Sequence, residues 1–143
     1  MPPIYFFEED IEFKLKNKIA LRRWIKDTIV AEGYKLKELN YIFCSDAYLL
    51  DINKQYLDHD TYTDIVTFDN SEQAKTIVGD IFISVERIKE NAQKFKTTEA
   101  TELHRVMVHG ALHLLGYKDK TPLSKNLMTQ QEDKYLAKRT FLI

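Results

Sequence analysis

The chain has 143 residues, 44% hydrophobic and 30% charged, an ordinary balance for one soluble globular unit large enough to bury a core. Four glycines, three prolines and a single cysteine exclude collagen-like repeats, long flexible linkers and an intramolecular disulfide. The formal net charge of −1 argues against binding nucleic acid by global attraction alone, and no run approaches the ~20 apolar residues of a membrane span.

"MPPIYFFEED" (1–10) has no positive charge ahead of a long apolar stretch, so it does not read as a secretory signal and a cytoplasmic address is expected. Within it, "IYFFEED" is rich in β-favouring residues and predicts a first strand. From about Lys16 to Glu32 the pattern becomes helical: Leu21, Trp24, Ile25 and Thr28 fall at i, i+3, i+4 and i+7. Gly33 supplies a C-terminal stop. The stretch 14–26 carries Lys14, Lys16, Lys18, Arg22, Arg23 and Lys26 with no acid among them. Arg22, Arg23 and Lys26 lie away from the apolar stripe, as a solvated face or, if nucleic acid binds, as a landing strip for its phosphates.

"ELNYIFCSD" (38–46) predicts a second strand with Cys44 as a small core residue. "AYLLDINKQYL" (47–57) predicts a helix capped by Ser45 or Asp46, followed by a polar loop containing His59. "DIVTFD" (64–69) and "TIVGDIFISV" (76–85) read as two strands, with Gly79-Asp80 expected to mark a bulge or bend. The remainder is helical: 85–95, then a helix from an N-cap at Thr98 to Gly116, then one opened by Thr121-Pro122 and running to about Lys138. Strands and helices thus alternate early, and the C-terminal third is all helix.

The chemistry concentrates in "HGALHLLGYKD" (109–119). At 100° per residue His109 and His113 are about 40° apart around a helix and ~6 Å apart along it, so both imidazoles can close on one ion. The flanks of that face are apolar, Leu103, Met107 and Leu114 on one side and Val108, Leu112 and Leu115 on the other, which places the pair at the floor of a cleft. His104 lies some 140° or more around the axis and cannot join them; its role is structural or solvent-facing. His59 is free in position and can visit the site. After Gly116 ends the helix, the chain must turn, and Asp119 can fold back as a third ligand. The alternative is a surface aspartate between Lys118 and Lys120.

Helical zinc peptidases carry a proton-accepting glutamate directly after the first histidine. Here that position is Gly110, so peptidase chemistry by that route is disfavoured. Glycine would instead let another backbone or a bulky substrate approach the metal closely. An ion with three protein ligands and an open position can still acidify a bound water.

"HGALHLLGYKD", preceded in order by "TDIVTF" and "VGDIFIS", resembles the YbeY family of metal-dependent endoribonucleases, also called rRNA maturation factors. The likeness runs from about Leu50 through Asp119. It implies an α+β fold: a small mixed sheet packed between helices, related in shape to zinc peptidases, in a single domain spanning 1–143. It also implies one Zn2+ or another divalent ion, cleavage of single-stranded RNA, and a part in ribosomal RNA processing with the small subunit. Carried over residue by residue, His109 and His113 are metal ligands. The family usually has a third histidine where this chain has Asp119, an acceptable zinc ligand whose charge would make the ion less electron-withdrawing and the metal choice broader. The family also commonly places an arginine after the aromatic of its "N..Y" segment, where Tyr56 is here followed by Leu57. Arg105, one turn before His109, is the candidate to take that catalytic role, or else a packing and salt-bridging residue. Two other classes fit the residues: a ribosome-assembly or RNA-binding protein with a structural metal, and a metal-dependent hydrolase of another substrate.

Overall fold

A computed structural model describes residues 1–57 and 61–141; the expectation for His59 lies outside the described residues. The elements run β1 (Ile4–Glu9), α1 (Lys18–Ala31), β2 (Lys35–Cys44), α2 (Asp46–Leu57), β3 (Ile65–Asp69), β4 (Thr76–Ser84), α3 (Val85–Lys94), α4 (Glu99–Leu114) and α5 (Pro122–Leu136). The four strands form one mixed sheet in the order β1-β2-β4-β3, with β1, β2 and β4 parallel and β3 antiparallel to β4. This is the α+β architecture that the family resemblance implies, with the helical C-terminal third that the sequence pattern predicts.

Period-two alternation decides what each face of the sheet meets. Ile4, Leu39, Tyr41, Phe43, Ile77, Ile81 and Ile83 point into one core, where they meet Leu21, Trp24, Ile25 and Ile29 of α1 and Leu103, Met107, Val108 and Ala111 of α4. Cys44, Val66 and the partly buried Phe68 and Phe82 face the other way and pack with Leu49, Tyr48 and Ile52 of α2. Cys44 is therefore the buried residue expected. Elsewhere on the outer face Tyr5 and Phe7 are about half exposed.

Local signals start the helices where the sequence indicates. Ser45 Oγ accepts from the Tyr48 amide, which makes Ser45 rather than Asp46 the cap of α2. Thr98 accepts from the Thr101 amide, and Thr121 and Ser124 form a reciprocal capping box with Pro122 in the first turn. At Gly116 the backbone is left-handed, φ 101°, and turns the chain after α4.

Two readings of glycine need correction. Gly79 and Asp80 do not interrupt their strand: the register of β4 runs unbroken through both, on β2 and on β3. The irregularity lies in β2, between Leu36 and Glu38. Gly79 is small because a Cβ there would come within 2.8 Å of the Phe68 carbonyl and 2.9 Å of a Leu114 methyl. Gly110 likewise faces the sheet, where a Cβ would lie 2.9 Å from Ile65 Cδ1 and 3.0 Å from the Ile81 side chain. It serves helix-on-sheet packing, not the approach of a substrate to a metal. Together the two glycines let α4 lie low on β3 and β4, and Tyr41 fastens it there by donating to the Met107 carbonyl at 2.8 Å.

Candidate metal centre

Helix α4 carries His109 and His113 on the side turned away from the sheet, with their ring centroids 4.5 Å apart. The side chains are 20% and 26% exposed, so they stand at the edge of the core and face an opening. The turn after Gly116 brings Asp119 back over them. Its Oδ2 lies 3.3 Å from His109 Nε2 and 3.2 Å from His113 Nε2. One ligand atom from each of the three residues falls within 4.8 Å of the others. Asp119 is thus folded onto the pair and not directed away from it, although Lys118 and Lys120 beside it are exposed.

The opposite nitrogens explain how the rings are held. His113 Nδ1 is 3.0 Å from the carbonyl of Tyr117. A carbonyl only accepts, so Nδ1 carries the proton and the Nε2 lone pair is left facing Asp119. His109 Nδ1 is 2.6 Å from Glu132 Oε2 in α5, and a carboxylate acceptor there has the same consequence. Two nitrogen lone pairs and a carboxylate oxygen therefore converge on one point. Without a cation or a proton between them those atoms repel; a divalent ion satisfies all three, and nitrogen plus carboxylate oxygen is a donor set that zinc and its neighbours accept.

Acidic groups surround His109. Burial opposes a charge on its ring, but the hydrogen bond and charge of Glu132, with Asp119 and Asp64 nearby, outweigh it and hold its pKa above the usual 6.5. Burial raises the Asp64 carboxyl above its ordinary range, partly offset by His109. Burial also raises Glu102, with Asp64 adding to the effect. Glu32 braces the turn that delivers Asp119: it accepts from the Tyr117 hydroxyl at 2.6 Å and from the Tyr135 hydroxyl.

The remaining expected site residues separate. Arg105 is committed to α5, with Nη1 2.9 Å from Glu132 Oε1 and Nη2 2.9 Å from Asp133 Oδ1, which is the salt-bridging arrangement. His104 is buried, not solvent-facing: Arg139 Nη1 lies 2.8 Å from its Nδ1, and Trp24 and Phe141 pack edge-on against the ring. Burial and the Arg139 charge push its pKa down to about 4. On α1, Arg23 and Lys26 are exposed, whereas Arg22 donates from Nε to the Ile4 carbonyl at 2.8 Å and lies over the Phe6 ring. Leu57 ends α2 at 40% exposure. A groove of about 940 Å³ between α1 and the C-terminal segment, lined by Trp24, Arg23 and Phe141 among others, is separate from the histidine cluster.

Glu132 escapes a local motif search because it is 23 residues from His109 in sequence. One signal does mark it: it occupies the apolar stripe of α5 with Met128, Tyr135 and Leu136, and it is buried with them. An acid at the phase of a buried stripe needs a partner inside.

Comparison with known proteins matches residues 6–140 to the family model described as Endoribonuclease YbeY. A protein of that name from Cytophaga hutchinsonii is 53% identical over 138 residues, 96% of each chain. Another, from Amoebophilus asiaticus, is 47% identical over 133 residues, 93% of this chain and 90% of that one. Among solved structures, the solution structure of TM1509 from Thermotoga maritima superposes with a TM-score of 0.64 at 26% identity, covering 93% of this chain and 86% of that one. No described helix is long and apolar enough to cross a membrane. With the His109–His113–Asp119 cluster, on α4 and the turn beyond it, inside the matched residues, the chain belongs to the YbeY endoribonuclease family.

Proposed function

We propose that the chain, working as one domain across 1–143, is a zinc-dependent endoribonuclease that cleaves single-stranded RNA. Its place is the cytoplasm, in ribosomal RNA processing and maturation of the small ribosomal subunit. The observation that carries the reading is the convergence of His109 Nε2, His113 Nε2 and Asp119 Oδ2 on one point. Three protein donors are the number a catalytic zinc site uses while keeping a position open. Family membership and the names of the relatives support RNA as the substrate.

When bound, a divalent ion supplies Lewis acidity toward a phosphodiester oxygen. The protein's own contribution is orientation and charge. Glu132 and the Tyr117 carbonyl keep the ring protons on Nδ1, so the Nε2 atoms stay free to coordinate. The Asp119 carboxylate lowers the net charge of the centre relative to three neutral nitrogens, which widens the range of divalent metals that fit. Both terminal nitrogens of Arg105 are held by α5 carboxylates, which supports its salt-bridging role over that of the arginine absent at Leu57. Arg23 and Lys26 contribute salt-sensitive contacts to RNA phosphates.

The test is cleavage of a single-stranded ribosomal RNA fragment by purified protein before chelation, after chelation and after Zn2+ is restored. The expected result is loss of cleavage on chelation and recovery on reconstitution. Undiminished cleavage by the stripped protein contradicts the reading.

A further inference from the structure

Two donors converge on Glu132 from opposite sides. Arg105 Nη1 is 2.9 Å from Oε1 and His109 Nδ1 is 2.6 Å from Oε2, and the carboxylate is only 8% exposed. A guanidinium donates and never accepts; a neutral imidazole that offers its Nε2 lone pair can only donate through Nδ1. The residue between them must therefore present two acceptor oxygens at once, which a carboxylate does and a glutamine amide cannot. His113 has no such requirement, since the Tyr117 carbonyl fixes its proton with backbone alone.

We propose that Glu132, anchored by Arg105, is the positioning residue of this centre: it keeps the His109 proton on Nδ1 and so turns the Nε2 lone pair toward Asp119. This rests on the metal reading above and assigns Arg105 its part in it, as the group that holds Glu132 in register. The arrangement is that of a carboxylate behind a metal-binding histidine, whose removal typically weakens metal affinity by about 10–100-fold.

The inventory of donors makes the test specific. In Glu132→Gln the charged guanidinium takes the single amide oxygen and leaves the NH2 group facing His109 Nδ1. The ring must then accept at Nδ1, and its proton moves to Nε2, where it blocks coordination. Zn2+ affinity, measured by competition with a chromophoric chelator, is expected to fall about 10–100-fold. The ring 15N shifts of His109 in the metal-free protein are expected to change from the Nδ1–H to the Nε2–H form. Arg105→Met alone leaves Glu132 accepting from His109 but without its anchor, so the Nδ1–H form is kept and the affinity falls by less than in E132Q. The double variant R105M/E132Q frees the glutamine oxygen for His109 and is expected to regain the Nδ1–H form and most of the lost affinity. A merely structural Glu132 predicts no such recovery. Wild-type affinity and tautomer in E132Q, or a double variant that binds no tighter than E132Q, overturns the proposal. Absence of Zn2+ binding by the wild-type protein sinks instead the metal reading on which it rests, and the 15N shifts then still decide whether Glu132 sets the His109 tautomer.

Discussion

The two ends of helix α4 treat histidine in opposite ways. His104, 3% exposed, is enclosed by Trp24 and Phe141 and faced by the Arg139 guanidinium, so burial and a like charge keep it neutral, with a pKa pushed down to about 4. His109, five residues on, is at the rim with Glu132, Asp119 and Asp64 around it, and its pKa lies above the usual value. The same side chain is an inert packing element at one end and a cation-seeking donor at the other. What differs is the element packed against each: α1 and the C-terminal segment beside His104, the α5 carboxylate and the returning turn beside His109.

The largest expected effect separates the two ends by function. His113→Ala should lose metal and drop RNA cleavage by more than about a hundredfold, the worth of several kcal/mol of charge stabilisation. His104→Leu should leave metal content unchanged. Metal analysis and cleavage rates on both variants check this.

Next in size is the pH dependence, where the two histidines have opposite signs. The folded pKa of His104 is below its unfolded value, so between pH 6.5 and about 4 the unfolded chain takes up the proton first. Its stabilising contribution is present above pH 6.5 and is lost as pH falls through that window, up to roughly 3 kcal/mol. For His109 in metal-free protein the folded pKa is the higher one, so its contribution is present below pH 6.5 and lost as pH rises through the folded value. Urea denaturation at pH 7 and pH 4.5 should show a smaller acid loss for His104→Leu than for wild type; an equal loss contradicts the assignment.

Gly79→Ala should destabilise by about 1–3 kcal/mol, because its Cβ meets the Phe68 backbone carbonyl, which cannot swing aside as a side chain can. This bears on the height of α4 above the sheet, and thermal unfolding reads it. The smallest effect concerns α1. Replacing Arg23 and Lys26 by Ala should make the salt dependence of RNA affinity shallower by roughly 1.4 log units per log unit of salt, without loss of stability. Arg22→Ala should instead lower stability, since its guanidinium is bonded to β1.

How much of this was legible follows from the range of each interaction. His109, His113 and Asp119 lie within eleven residues and one helix–turn unit, so spacing alone brings them together. The helix starts at Ser45, Thr98 and Thr121 are local for the same reason. Residues whose meaning depends on a distant neighbour were legible only in part. Gly110 signals a close approach and Gly79 reads as a bulge or bend, but the sequence does not say that strand side chains crowd the first, and the Phe68 carbonyl and α4 the second. Arg22 has the helical phase of Arg23 and Lys26, yet an open carbonyl on β1 captures it. Glu132 reaches His109 only because α5 folds back along α4, and periodicity marks it as buried without naming its partner.

The central claim, that one ion sits between two α4 imidazoles and the Asp119 carboxylate, is tested most directly by the metal stoichiometry of intact protein in native mass spectrometry. The account predicts one divalent ion per wild-type chain and a marked loss in Asp119→Ala and in His113→Ala. Full occupancy retained in both variants would contradict it.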